Sequence, residues 1–417
     1  MNLACLCGTR TRLPANRSTP PRDTNLDPVS VSEVPGPLVE RMREFGTTIF
    51  AEMSALAVAT GSINLGQGFP DTDGPDVVLN AAVDAIRSGK HNQYPPGLGV
   101  PELRDAIARH QHRFYGLTYD PATEVLVTAG ATEAIAAAIL SLTEPGDEVV
   151  VFEPYYDSYP ACIALAGARR RTVTLRCSGD RWTFDAEELR QAITRRTRLI
   201  LLNTPHNPTG KVFDGSELEL IADLAVERDL IVVTDEVYEH LIFDGRTHMP
   251  LAGFPGMRDR TLAIGSGGKT LSVTGWKIGW ACASPALIAA IRTVKQFLTY
   301  VNGGPFQPAV AIGLDQPDEF FRHIAQTLQE QRDLLCGGLA DLGYDVVVPE
   351  ATYFATVDVH SDAIAFCRQL PQHHGVVAIP TSVFYDSEAG DSLVRFAFCK
   401  QPNVLAEALT RLKDVER

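Results

Sequence analysis

A carboxylate, a phenol and an amine recur at places where an α/β chain usually meets its ligand. Asp235 closes the apolar run Ile231–Thr234, and Tyr238 follows three residues later. A carboxylate at the carboxyl end of a strand faces the ligand crevice of an open α/β sheet, although such an Asp alone more often caps the next helix. Lys269 stands on a glycine-rich turn after the next strand, at the same crevice edge; taken singly, it would be a solvated loop lysine. Asn207, in the segment 203–210 (NTPHNPTG), would present an amide there, although Asn-Pro-Thr-Gly is also simply a good turn. Gly130-Ala131-Thr132 joins a strand to a helix start, where free N–H groups and the helix dipole favour phosphate. An ordinary strand–helix turn would read the same way. Lys277 in TGWKIGW and Arg395 in LVRFAF each interrupt an apolar segment. A cation there is expensive unless paired, so each asks for an anion, supplied either by a ligand or by a structural salt bridge.

One motif misleads. Residues 263–270 read AIGSGGKT, close to a phosphate-cradling P-loop, and 231–236 (IVVTDE) imitates the acidic strand that holds magnesium in such enzymes. The P-loop pattern requires glycine at its first position, where this chain has Ala263. The acidic strand also comes before the loop, the reverse of the usual order, so nucleotide binding is set aside.

The elements that must position these residues alternate. Short apolar strands are predicted over 124–128, 148–152, 198–202, 231–234, 261–264 and 279–283, with helices between them. That alternation implies a mostly parallel sheet covered on both faces. Helices are predicted over 39–59, 75–88, 101–115 and 132–142. Past Pro305 longer helices and two strands (352–359 and 393–398) suggest a smaller α+β lobe, completed by the N-terminal helix. The expected division is a disordered tail at 1–33, an N-terminal helix at 34–64 joining the small domain, a large ligand-binding domain at 65–305 and a small domain at 306–417.

Bulk properties narrow the function. At 417 residues the chain is long enough for two lobes. Its net charge of -14 repels phosphate backbones, which argues against a nucleic-acid partner. No apolar run reaches the roughly 18–20 residues that span a bilayer, so no membrane partner is expected. The eight cysteines include no CxxC pair, and reduced thiols in a cytoplasmic protein are the economical reading. Residues 1–22 hold four arginines, no acid and three prolines. A transit peptide can look so, but the composition favours a disordered tail.

The motifs also form a series. NLGQGFPD (64–71), NQYPPGLG (92–99), EPYYDSY (153–159), NTPHNPTG, TDEVYEHL (234–241), SGGKT, TGWKIGW and VRFAF occur in one order from about Phe45 to the C-terminus. That series resembles the class I/II aminotransferases of fold type I, which depend on pyridoxal 5′-phosphate. The likeness is greatest to the branch holding kynurenine/glutamine aminotransferases and bacterial N-succinyldiaminopimelate aminotransferases. It implies a large domain with a mostly parallel seven-stranded sheet and a smaller α+β domain. It also implies a homodimer with shared active sites.

The resemblance implies roles one residue at a time. Lys269 would hold the cofactor as a Schiff base and later carry a proton. Asp235 would keep the pyridine nitrogen protonated, so that the ring accepts electrons. Tyr238 and Asn207 would bond its phenolic oxygen, and Tyr156 would lie on its face. Ala131, Thr132, Ser266 and Lys277 would bind the phosphate, together with Tyr94 from the neighbouring subunit. Arg395 would grip the substrate α-carboxylate bidentately, with Gly68, Asn207 and Phe50 also lining the substrate. Three positions depart from the pattern. Phe50 stands where the branch acting on aromatic substrates usually has Trp, His206 where many relatives carry Asn, and Ala351 where a glycine is usual.

The implied activity is transfer of an amino group between an amino acid and 2-oxoglutarate in ping-pong order. Likeness in NQYPPGLG, YDSY and TGWKIGW points to N-succinyl-LL-2,6-diaminopimelate as donor, in lysine biosynthesis. Kynurenine–glutamine transamination and β-elimination from cysteine conjugates share the same residues and stay open. A non-catalytic, cofactor-sensing regulator would need a basic DNA-binding module ahead of the domain, and the short, proline-broken leader offers none.

Overall fold

Strands that are apolar at nearly every position form when both faces of a sheet are covered. In the computed structural model, which describes residues 38–179 and 181–415, seven strands make one sheet, and all but one edge strand are of this kind. In chain order they are β1 (Val125–Ala129), β2 (Glu148–Glu153), β3 (Arg169–Thr174), β4 (Thr197–Asn203), β5 (Ile231–Asp235), β6 (Thr261–Ser266) and β7 (Ile278–Cys282). Their spatial order is β1-β7-β6-β5-β4-β2-β3. Only β7 runs antiparallel to its neighbours. One buried cluster packs Ile135, Ile139 and Ile291 on one face, and another packs Phe213, Leu218 and Ile221 on the other.

The register brings the functional positions to one edge. Asn203 on β4 lies opposite Asp235 on β5, and Asp235 lies opposite Ile264 on β6. Because β7 is antiparallel, its first residues start at that same edge, with Gly279 opposite Ser266 and Ile278 opposite Ala129. Lys277 therefore sits beside the start of the helix Gly130–Leu142. A Cβ on Gly279 would lie 2.6 Å from the Gly130 carbonyl carbon, so only glycine lets β7 pass this close.

A second, antiparallel sheet follows, with β8 (Asp345–Val347), β9 (Phe354–Asp358), β10 (Ile379–Pro380) and β11 (Leu393–Ala397) in the order β8-β9-β11-β10. Its core includes Met53 and Ala57 from the helix Ile49–Thr60. Ile63–Asn64 pairs in parallel with Val376–Val377, which ties the N-terminal segment to this unit. Gly66, Gln67 and Gly68 then run directly into the crevice.

Several elements differ from the sequence reading. The helix expected over 39–59 is interrupted: a 3-10 turn at Glu40–Met42 is followed by irregular chain, and the helix proper starts at Ile49. Thr48 stops it from extending backwards, since its hydroxyl accepts from the Ala51 N–H as an N-cap. Strand β3 was not foreseen. Its sequence, RRRTVT, exposes alternate arginines because it is the edge of the sheet, where charge blocks pairing with other chains. The helix Phe306–Leu314, assigned by sequence to the small domain, packs instead with Val78, Leu103 and Val127 beside the large sheet. The tail at 1–33 lies outside the described residues. No described helix is long and apolar enough to cross a membrane, and Cys162, Cys282, Cys336, Cys367 and Cys399 are buried thiols.

Candidate active site

At the carboxyl edge of the large sheet, against the second unit, lies a cavity of about 250 Å³. Its walls include Phe50, Gly68, Ala131, Thr132, Tyr156, Asn207, Asp235, Tyr238, Ser266, Lys269, Lys277 and Arg395. Residues more than three hundred positions apart thus meet in one space. Tyr94 is the exception among the expected residues. It is 83% exposed, away from this cavity, with its ring edge-on to Tyr300 at 5.7 Å.

Among the described residues, none of the three cations lining this cavity (Lys269, Lys277 and Arg395) forms an ion pair with a carboxylate. Lys269 is held by the four-residue helical turn Gly267–Thr270, and its Nζ lies 3.4 Å from the Gly68 carbonyl. Burial lowers its pKa to about 8, while Cys399 and Asp235 pull it up and Arg395 pushes it down. A substantial fraction of the amine is therefore neutral, and nucleophilic, near physiological pH. Arg395, on β11, is 2% exposed. It donates from one terminal nitrogen to the Asn207 side-chain oxygen at 3.1 Å and from the other to the Gly66 carbonyl at 2.9 Å. Among the described residues its Nε meets no partner, and the Phe354 ring lies 4.0 Å beneath the guanidinium. Burial brings its pKa down to about 10. Among the described residues no carboxylate forms an ion pair with it, so the structural salt bridge that the sequence left open is absent.

Lys277 corrects a sequence argument. It does not lie within an apolar strand but on the turn before β7, left-handed at φ 54° and exposed. Its side chain approaches the start of the helix Gly130–Leu142, where its Nζ comes within 3.5 Å of the space that a Gly130 side chain would fill. Ser266 and Thr274 line the same corner.

Asp235 is the buried anion of the site. Burial raises its pKa to about 6 against the opposing pull of a hydrogen bond from Tyr159, whose hydroxyl donates to Oδ2 at 2.6 Å. Asn203 fixes the backbone, its amide donating to the Asp235 carbonyl at 2.8 Å while its own side-chain oxygen accepts from the Asn207 N–H at 2.7 Å. Tyr159 and Asn203 escaped the sequence reading, although YYDSY places Tyr159 one turn after Tyr156 on the same helix start. Phe354 was missed too. His206, singled out as a departure, is buried with its ring bonded to Thr209 at 2.8 Å and does not line the cavity. Ala351 forms an isolated bridge with Ile242 and is likewise not part of the wall.

Residues 60–412 match the aminotransferase class I and II family profile. The chain belongs to that family. It is 52% identical over 387 residues to a probable N-succinyldiaminopimelate aminotransferase of Mycobacterium tuberculosis, covering 90% of this chain and 97% of the relative. A solved structure of N-succinyldiaminopimelate aminotransferase from that organism superposes with a TM-score of 0.89 at 52% identity, over 90% of this chain and 99% of the other. A methionine aminotransferase of Escherichia coli is 39% identical over 90% of this chain and 97% of its own length.

The protein is thus a pyridoxal-phosphate-dependent aminotransferase of the type I fold. The cavity suits that cofactor chemically. A buried carboxylate at Asp235, with no ion pair among the described residues, matches a protonated ring nitrogen, and a neutralisable amine at Lys269 matches its aldehyde. The helix start at Gly130–Thr132, with Lys277 and Ser266 beside it, matches its phosphate.

Proposed function

We propose that the enzyme transfers the amino group of N-succinyl-LL-2,6-diaminopimelate to 2-oxoglutarate, in the diaminopimelate route to lysine. In this reading it works in the cytoplasm as a homodimer. The observation that carries the catalytic reading is Arg395: a buried guanidinium with no carboxylate of its own, in the cavity that also holds Lys269 and Asp235. The choice of donor is supported by 52% identity along 90% of the chain to the mycobacterial relative.

When bound, pyridoxal 5′-phosphate supplies an electron-accepting ring that stabilises the charge left at the substrate Cα. Lys269 Nζ would hold the cofactor covalently and, as a free amine, would move the proton at the substrate Cα. Asp235 would keep a proton on the ring nitrogen, with Tyr159 holding Asp235 in place. Tyr238 and Asn207 would bond the ring oxygen, and Tyr156 would pack against the ring. Ala131, Thr132, Ser266 and Lys277 would bind the phosphate. Arg395 orients the α-carboxylate that amino acid and oxo acid have in common, with Phe50 and Gly68 closing the substrate side. Asn207 links the cofactor and substrate sides, because its side-chain oxygen already accepts from Arg395.

Dimer formation is supported by exposed aromatic residues. Tyr94, Phe297 and Tyr300 are 83%, 82% and 51% exposed, far more than large rings on a free surface usually are. Covering them with a second copy would carry Tyr94 to the neighbouring site.

A donor panel assayed with 2-oxoglutarate tests the substrate. The succinylated diaminopimelate should have the highest kcat/KM, by at least tenfold over kynurenine, methionine and cysteine conjugates. A higher value for any of those three would overturn the donor assignment while leaving the family unaffected.

A further inference from the structure

Immediately after Asp235 and Tyr238, the chain enters a second buried polar cluster that the reaction does not use. We propose that His110, Glu239 and His240 form a divalent-cation site of the zinc class, which ties the segment carrying Asp235 and Tyr238 to the helix Pro101–Tyr115. The metal site itself does not depend on the identity of the amino donor.

The geometry is that of converging ligands. One imidazole nitrogen of His110, one of His240 and a carboxylate oxygen of Glu239 all lie within 4.8 Å of one another. The two Nε2 atoms are 2.6 Å apart. His110 and Glu239 are 1% and 4% exposed, while His240 is only half-buried. Tyr115 and Gln111 hydrogen-bond to the Glu239 carboxylate, but among the described residues its Oε2 has no hydrogen-bond partner. An unpaired buried oxygen is costly, and metal ligation is one way to satisfy it. Two imidazoles and one carboxylate are a common zinc donor set, with a fourth position left for water. The half-buried edge of His240 gives an ion a way in.

Charge favours a cation here as well. Glu236, 2% exposed, lies in the same region, and its carboxylate contacts His248 Nε2 at 2.8 Å. Among the described residues no Lys or Arg pairs with Glu236 or Glu239, and the hydrogen-bonding neighbours of Glu239, Tyr115 and Gln111, are uncharged. Arg113 opposes a cation at His110, but its guanidinium is committed to Asp318. Tetrahedral ligation at about 2.0–2.1 Å sets two imidazole nitrogens about 3.3 Å apart, so the rings need to part by only about 0.7 Å. Phe114 and Phe321 box the pair: His240 stacks on Phe321 at 4.4 Å and meets Phe114 edge-on at 4.7 Å. That aromatic wall holds both rings in place.

The test uses the full-length holoenzyme, stripped with a chelator and reloaded with zinc or cobalt chloride alone. After gel filtration, one equivalent of zinc should remain per chain and the Tm should rise. Cobalt should give weak visible bands of tetrahedral nitrogen and oxygen ligation, without the intense near-ultraviolet band of a thiolate ligand. His240→Gln, at the half-buried position, and Glu239→Gln should each lose the stoichiometric metal, the cobalt bands and the Tm response. The proposal is overturned if the wild type retains no metal, if both variants retain as much as the wild type, or if a thiolate band shows that the ion sits on cysteine.

Discussion

Replacing Arg395 by lysine should separate substrate binding from stability. The guanidinium offers five N–H donors, of which Asn207 and Gly66 occupy two. The free Nε and the remaining terminal N–H groups can take a carboxylate bidentately, whereas an ammonium acts as a point charge with no such fork. Losing one charge-assisted hydrogen bond in a dry pocket costs about 1.5–3 kcal/mol, or roughly one to two decades in kcat/KM. Both half-reactions should fall together, because amino acid and oxo acid present the same carboxylate. Folding should be barely affected, since no ion pair is broken; the lost contacts are two hydrogen bonds to neutral groups and the stacking on Phe354. Single-turnover half-reactions and a thermal melt on one preparation provide the assay. If Arg395→Lys melts early but transaminates at the normal rate, the carboxylate clamp lies elsewhere.

Four further outcomes follow from the same geometry. Tyr159→Phe removes the donor that holds down the Asp235 pKa, so that pKa should rise further above 6; cofactor affinity should fall about tenfold or more at pH 7 and recover at pH 9, and an equal loss at both would refute the link. Asp235→Asn should still fold yet lose two or more decades of transamination, as breaking a buried charge pair costs about 3–5 kcal/mol; a loss below tenfold would reduce Asp235 to a cap. The rate of covalent cofactor attachment, trapped by borohydride, should rise with pH to a midpoint near 8, because only the deprotonated Lys269 reacts. Arg395→Gln should move that midpoint up by removing a neighbouring positive charge; a midpoint above 10 in the wild type would mean that burial does not tune this amine. Mixing Tyr94→Phe with Lys269→Ala subunits should yield heterodimers with one intact site, and no regained activity despite proven subunit exchange would exclude sharing.

Much of the site was legible because a parallel sheet leaves its functional residues at predictable places. Asp235, Asn207, Ser266 and Lys269 each stand at or just beyond the carboxyl end of an apolar strand, and such strands can be recognised from composition alone. The helix start at Gly130–Thr132 was legible for a similar reason, since a strand running into a helix leaves free N–H groups. The order of the motifs carried the family, and with it the cofactor. The edge strand β3 was hidden because an exposed edge replaces the apolar pattern with arginines.

Pairing was decided only in three dimensions. Sequence showed that Arg395 and Lys277 interrupt apolar segments, but not which one is buried; the antiparallel turn before β7 leaves Lys277 exposed, while β11 encloses Arg395 without a carboxylate. Tyr159 could be seen as a tyrosine on a helix, but its grip on Asp235 depends on β5 ending beside that helix, across 76 residues of chain. His110 and His240 show no common motif, being 130 residues apart, and meet only because the helix Pro101–Tyr115 packs against the segment that follows Asp235. Periodicity and spacing report what a residue does within its own element. Which charge is left unpaired is a property of the whole packed interior, because burial and neighbours, not sequence position, set the cost of each ion.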